Sequence, residues 1–187
     1  MAEALLITRD DLVRLTALNG NTDTDKFIQF IKIAQDIHIE NYLGTKLLQK
    51  IKDLILNGDI DDPAFSDYKD LLEVYVKPML IYWAMVEYLP NAAYTIANKG
   101  IYKHSSENSE NVDKLEVDFL TNKYSDIAKE YTDRFIGYII YNQDIFPEYN
   151  LNTNGDIYPS DINNYGGWVL WKYINQKRKI LTNYSFT

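Results

Sequence analysis

The sequence has 187 residues, no cysteine, and two histidines, His38 and His104. Without cysteine there is no thiolate nucleophile, no disulfide and no cysteine-based zinc site. Two histidines so far apart give no metal-ligand spacing. His38 falls among Ile31, Ala34 and Tyr42 at helical spacing. A lone histidine there is more often a hydrogen-bonded core or interface residue than a catalytic base. The acidic pairs Asp10/Asp11 and Asp61/Asp62 sit where carboxylates cap helices or face solvent. An acid–base hydrolase built on Asp61, Asp62 or His38 would need an enclosed polar pocket, and no spacing in the sequence points to one. Asn150-x-Asn152-x-Asn154-Gly155, with Asp161 at the twelfth position, has the outline of a calcium loop. It begins with Asn and ends with Asp, and no helix stands in register on either side, so a chain of Asx-turns is the plainer account. The glycines form no phosphate-binding loop, and the Lys177-Arg178-Lys179 run is the kind that most often ends a chain in solvent. No residue is assigned a catalytic, metal-binding or cofactor-binding role, and no cofactor is expected.

The elements that would position any site are helical. Ser66 to Gly100 reads as one long, kinked helix, and its Met79–Val86 portion is apolar on every side. Such a helix must be covered all round by its neighbours. Glu73, Lys77, Pro78 and Glu87 argue against a membrane span. Ser66 is the expected N-cap; Pro78 predicts a kink near Val74–Lys77, Pro90 a second bend or a short break, and Gly100 the terminator. Upstream, Thr8 and Asp11 make a capping box for a short helix. A second helix runs from about Asp25 to Leu43 and stops at Gly44. Its stripe is Phe27, Phe30, Ile31, Ala34 and Ile37, widened by Ile28, Ile33 and Ile39. A third spans Thr45 to Asn57, closed by Gly58. Residues 101 to 111 are polar and read as a surface loop that is mobile in the free chain. A further helix covers Val112 to Asn142, with Leu120, Tyr124, Ile127, Tyr131, Phe135 and Tyr138 or Ile139 inward and Lys129/Asp133 and Glu130/Arg134 pairs outward. The fold class is all-α: a helical bundle around a long kinked central helix, with an extended C-terminal arm. Residues 1–149 form the helical domain and residues 150–187 an aromatic and basic arm.

Charge narrows the class of partner. The net charge is −8. Residues 150 to 187 carry +2, which leaves −10 on the helical body. An acidic body is not built to grip phosphates, though it could border a passage through which DNA moves. Met-Ala-Glu-Ala has no basic and apolar leader pattern, so a soluble protein made inside the cell is expected. Sixteen tyrosines suit protein interfaces, and Trp168 and Trp171 are expected to dock on the body or on another subunit.

The order of segments carries a resemblance. Thr8-x-x-Asp11-Leu12 leads to a helix with Ile33-Ala34-Gln35 that ends in Tyr42-Leu43-Gly44. A leucine-rich helix comes next, then an aromatic helix closing in Glu87-Tyr88-Leu89-Pro90-Asn91, then Asn98-Lys99-Gly100, and finally a long amphipathic helix before Phe146-Pro147-Glu148-Tyr149. Across residues 5 to 149 this resembles the head–tail connector (adaptor or ring) proteins of tailed bacteriophages, particularly crAss-like phages. The resemblance implies a structural virion protein without catalysis, made in the host cytoplasm and placed in the neck between capsid and tail. It implies a homo-oligomeric ring, usually of twelve copies, against the portal protein and the next tail protein, with DNA passing through unbound and no membrane involved. The partner-binding residues it suggests are Lys103 and His104 in the loop and Tyr165, Trp168, Trp171, Lys172, Tyr173, Lys177, Arg178 and Lys179 in the arm. The rival among interaction proteins is a capsid- or tail-associated helical module that never encircles DNA.

Overall fold

A computed structural model of the protein describes residues 4–16, 25–92, 94–97, 100–103 and 114–160. The helices are α1 (Arg9–Leu15), α2 (Asp25–Ala34), α3 (Glu40–Asn57), α4 (Ser66–Asp70), α5 (Lys77–Ala92) and α6 (Lys114–Tyr141). The fold is all-α, and α4 and α5 form one helical run through a π-helical turn at Leu71–Val76. That run is the centre of the molecule. Met79, Leu80, Ile81 and Ala84 are fully buried, with α2 and α6 both packed against α5.

Where a kink is expected before Pro78, the chain has this π-helical turn. Proline cannot donate to the carbonyl one turn back, and here Lys77 N–H reaches Leu72 O, five residues away. Pro90 does not end the helix, which continues to Ala92. Beyond it the expectation of helix up to Gly100 fails. Tyr94–Ala97 (β1) and Gly100–Lys103 (β2) pair as an antiparallel hairpin, with Tyr94 opposite Lys103 and Ala97 opposite Gly100. Thr95, Ile96, Ile101 and Tyr102 are of the β-branched and aromatic types that favour strands, and that local preference wins once Pro90 has weakened the helix. Residues 101–103 are therefore strand and not loop, while residues 104–111 lie outside the described part. The helix at Ser66 starts without a side-chain cap from serine. The capping carboxylate is Asp62, which accepts from Ala64 N–H at 2.8 Å in the 3-10 turn leading into α4.

The second π-helical turn, Gln35–Ile39, joins α2 to α3 and corrects the predicted stripe. Phe27, Phe30, Ile31 and Ala34 are buried as their spacing predicts, but Ile37 is 58% exposed. One extra residue in the turn rotates the helix beyond it, so Gln35, Ile39 and Leu43 continue the inward line in place of Ile37. Gln35 is buried because the segment before α1 needs it. Its Oε1 accepts from Leu6 N–H at 3.0 Å and its Nε2 donates to Ala4 O at 3.2 Å, holding the buried Leu6 and Ile7 in the core. The Thr8–Asp11 capping box forms as expected.

Gly44 breaks the helix as expected, with φ +76 inside α3, and Gly58 ends it with φ +78. The break leaves backbone groups without helical partners. Residues 152–160, expected to belong to the arm, supply those partners. Asn152 Oδ1 accepts from Lys46 N–H at 3.1 Å, and Ile157 O accepts from Thr45 N–H at 3.1 Å. Ser160 N–H donates to Asn41 O at 2.7 Å, and its hydroxyl donates to Asn41 Oδ1 at 2.8 Å. The asparagine-rich stretch is a clasp over Gly44. Asp156 in it accepts from Thr153 N–H at 2.8 Å, the kind of local turn its composition predicts.

Candidate interaction surface

Three places in the described structure concentrate residues capable of function: the surroundings of His38, the tyrosine-lined seam between α5 and α6, and the amino-terminal turns of α6.

His38 Nε2 lies 2.9 Å from Glu87 Oε1, and its ring stacks on Trp83 with centroids 4.0 Å apart and planes 9° from parallel. Trp83 Nε1–H in turn donates to Thr132 Oγ1 at 3.1 Å, and that hydroxyl donates to Ala128 O. The chain of contacts ties the π-helical turn to α5 and α5 to α6. It is a brace in which His38 Nε2, the indole N–H and the threonine hydroxyl each have a partner. Asp61 is paired with Lys69 at 2.8 Å, and Asp62 caps its turn. The three residues a hydrolase would have used are thus held by three different partners. Among the described residues no group of histidine and carboxylate side chains could hold a metal ion, and no helix is long and apolar enough to cross a membrane.

The seam between the α4–α5 run and α6 carries tyrosines at seven-residue spacing on both sides. Tyr75 stacks on Tyr138 (4.2 Å, 18°), Tyr82 stacks on Tyr131 (5.2 Å, 10°), and Tyr82 also approaches Tyr124 at 6.0 Å. Tyr68 meets Phe146 edge-on and donates its hydroxyl to Glu148 Oε2 at 2.7 Å. Two heptad-spaced rows on antiparallel helices keep meeting because seven residues are almost two turns. Burial raises the Tyr68, Tyr82 and Tyr138 phenols above their ordinary value, with neighbouring phenols and carboxylates adding to it. These tyrosines stay neutral over the whole physiological range. The sequence held the signal in the repeats Tyr68/Tyr75/Tyr82 and Tyr124/Tyr131/Tyr138, of which only the second lay in the predicted stripe.

The first turns of α6 are different, since they find no cover among the described residues. Leu115 is 74% exposed and Phe119 67% exposed, and Leu120, expected to point inward, is also exposed. A shallow open hollow beside Phe119 runs along Asn122, Lys123, Asp126 and Glu130. The reason lies in the register of the partners. Tyr82 meets Tyr131 and Tyr75 meets Tyr138, and in that register the helical run that ends at Ala92 stops short of the amino-terminal turns of α6. Further along, Lys129 pairs with Asp126 at 3.3 Å and not with Asp133, and the Arg134 guanidinium lies over the Tyr131 ring. Neighbours at i±3 and i+4 are about equally reachable on a helix surface, and an aromatic face is a competing partner.

Of the partner-binding residues suggested by sequence, Lys103 ends β2. His104, Tyr165, Trp168, Trp171, Lys172, Tyr173, Lys177, Arg178 and Lys179 lie outside the described residues. No curated protein and no solved structure matches the chain. A family model does, over residues 39–159, from the end of the π-helical turn through the clasp over Gly44. The chain therefore belongs to that family, a family of unknown function (DUF6712).

Proposed function

We propose that this protein is a ring-forming head-to-tail connector in the neck of a tailed phage, a structural subunit that extends the DNA channel beneath the portal and docks the next tail component. The observation that carries the reading is the uncovered apolar end of α6, where Leu115 and Phe119 stand in solvent at one-turn spacing. Large apolar side chains clustered on a helix that outruns its own partner suit contact with another subunit. In a closed ring such a contact is heterologous: this face of one copy meets a different face of the next. The net charge of −8 agrees with a wall along which DNA slides without being held. The order of helical segments across residues 5 to 149 resembles that of connector proteins, and it supports the same reading. The hairpin and residues 104–111 after it are the natural contacts to portal or tail. Mass measurement and electron microscopy of the purified protein, alone and mixed with the portal protein of the same phage, test this. A ring of about twelve copies on the portal is expected from the connector symmetry. A protein that stays monomeric with portal, or that decorates the whole capsid, would show the assignment to be wrong.

A further inference from the structure

The asparagine-rich clasp contains a reactive pair. An asparagine followed by glycine is the pairing in which a backbone nitrogen most easily attacks the side-chain amide, because glycine has no Cβ to crowd the approach. The sequence holds three such pairs, Asn19-Gly20, Asn57-Gly58 and Asn154-Gly155. Asn19-Gly20 lies outside the described residues. Asn57 and Asn154 are both exposed, and they differ in what holds the attacking nitrogen. Gly58 N–H is bonded to Leu54 O and Ile55 O at the end of α3. In the clasp, Asp156 N–H donates to Thr153 O at 2.9 Å, so the turn's own bond uses the N–H after that of Gly155. Gly155 has φ +99, with open space where a side chain would stand.

We propose that Asn154 is a site of spontaneous deamidation, gated by the Thr153–Asp156 turn, and that the reaction loosens the clasp over Gly44. The Gly155 nitrogen bonds to Asn154 Cγ and passes its proton through water to the side-chain nitrogen, which leaves as ammonia. A water then opens the cyclic imide at either carbonyl, to give aspartate or isoaspartate. A turn with φ +99 at its third residue is of type II, which sets its second residue, Asn154, at ψ of about +120°. Closing a five-membered ring on an L-residue needs ψ of the opposite sign, so the attack waits for the turn to open. Asp156 Oδ2 keeps it shut, accepting from Thr153 N–H at 2.8 Å and from the Thr153 hydroxyl at 3.0 Å, with Lys46 Nζ 3.5 Å away. Isoaspartate adds one carbon to the main chain inside the turn and sets a second carboxylate near Asp156, where like charges repel. Ile157 follows directly, and its N–H and O are the groups bonded to Thr45. Asn152, which holds Lys46 N–H, lies before the altered bond and keeps its place.

Ageing the full chain at mildly alkaline pH and mapping its peptides by mass tests the site. Deamidation at Asn154 should outpace that at Asn57 by about fivefold, the worth of the bond on Gly58 N–H. Asp156→Ala takes two hydrogen bonds to a charged group from the closed turn. It should speed the reaction at Asn154 by about tenfold, and an unchanged rate at Asn57 reports that the body stays folded. In the aged protein, amide exchange followed by NMR should be faster at Thr45 and unaltered at Lys46. Asn154→Gln, whose longer side chain cannot close the five-membered ring, should abolish that change. A rate at Asn154 no higher than at Asn57, an equal rate in Asp156→Ala, or an aged protein with unaltered exchange at Thr45 would overturn the proposal.

Discussion

The residue that shows most clearly how side-chain chemistry sets local stability is Asp11. Burial works against its charge, but the hydrogen bonds from Thr8 N–H and hydroxyl, with the Lys77 ammonium 3.5 Å away, outweigh that and hold its carboxyl below the ordinary value. The unfolded chain then binds more protons in acid than the folded one. Stability from this group is complete above about pH 4, the unfolded carboxylate range, and is lost as pH falls through the lowered folded value. Asp11→Asn should flatten the acid limb of a plot of urea midpoint against pH while leaving its alkaline limb in place. An acid limb as steep as before would mean that other carboxylates set it. Asp156, lowered by its hydrogen bond from Thr153 N–H, works in the same direction at the clasp.

Elements were legible in the sequence wherever a single physical rule governed them. Gly44 and Gly58 end their helices because both need a left-handed backbone, and Thr8 with Asp11 starts α1 through a reciprocal pair of hydrogen bonds. The rest depends on competition between distant parts of the chain. No spacing rule places an extra residue in a helix. Gln35, where the π-helical turn begins, holds Leu6 N–H and Ala4 O, and Ile37 within that turn is exposed. The hairpin after Pro90 was hidden because Tyr94–Ala97 also extends the helical pattern and Gly100 reads as the terminator of a helix. At this scale the tyrosine seam makes a quantitative claim. In a double-mutant cycle with Tyr82→Leu and Tyr131→Leu, measured by urea unfolding, the stacked pair should show a coupling of about 0.5–1.5 kcal/mol. Strictly additive losses would reduce the stack to mere proximity.

For the molecule as a whole, the question is which surfaces are finished and which await a partner. The core around α5 is closed: helices cover it on both sides, and the buried side chain of Asn152 is bonded to Lys46 N–H and Tyr149 O. The amino-terminal turns of α6 are open. The sequence pattern of α6 could not reveal this, since Leu115 and Phe119 are the same residue types that would be buried if α5 were longer. Phe119→Asp should therefore leave the unfolding free energy of the isolated subunit within about 0.5 kcal/mol. It should also weaken assembly by at least tenfold, or about 1.4 kcal/mol, in sedimentation or light scattering. A subunit that melts much earlier while assembling normally would place Phe119 in the core of its own fold.

The clasp over Gly44 also sets the order in which the molecule can be completed as it is made. α3 leaves the ribosome early, yet Lys46 N–H near its start waits for Asn152, a partner 106 residues further along the chain. Domains tend to fold as units during synthesis, amino-terminal parts first. Here the early helices can collapse but cannot lock until almost the whole chain has emerged, and a ribosome that stalls between Tyr141 and Asn152 leaves a body with its last fastening undone.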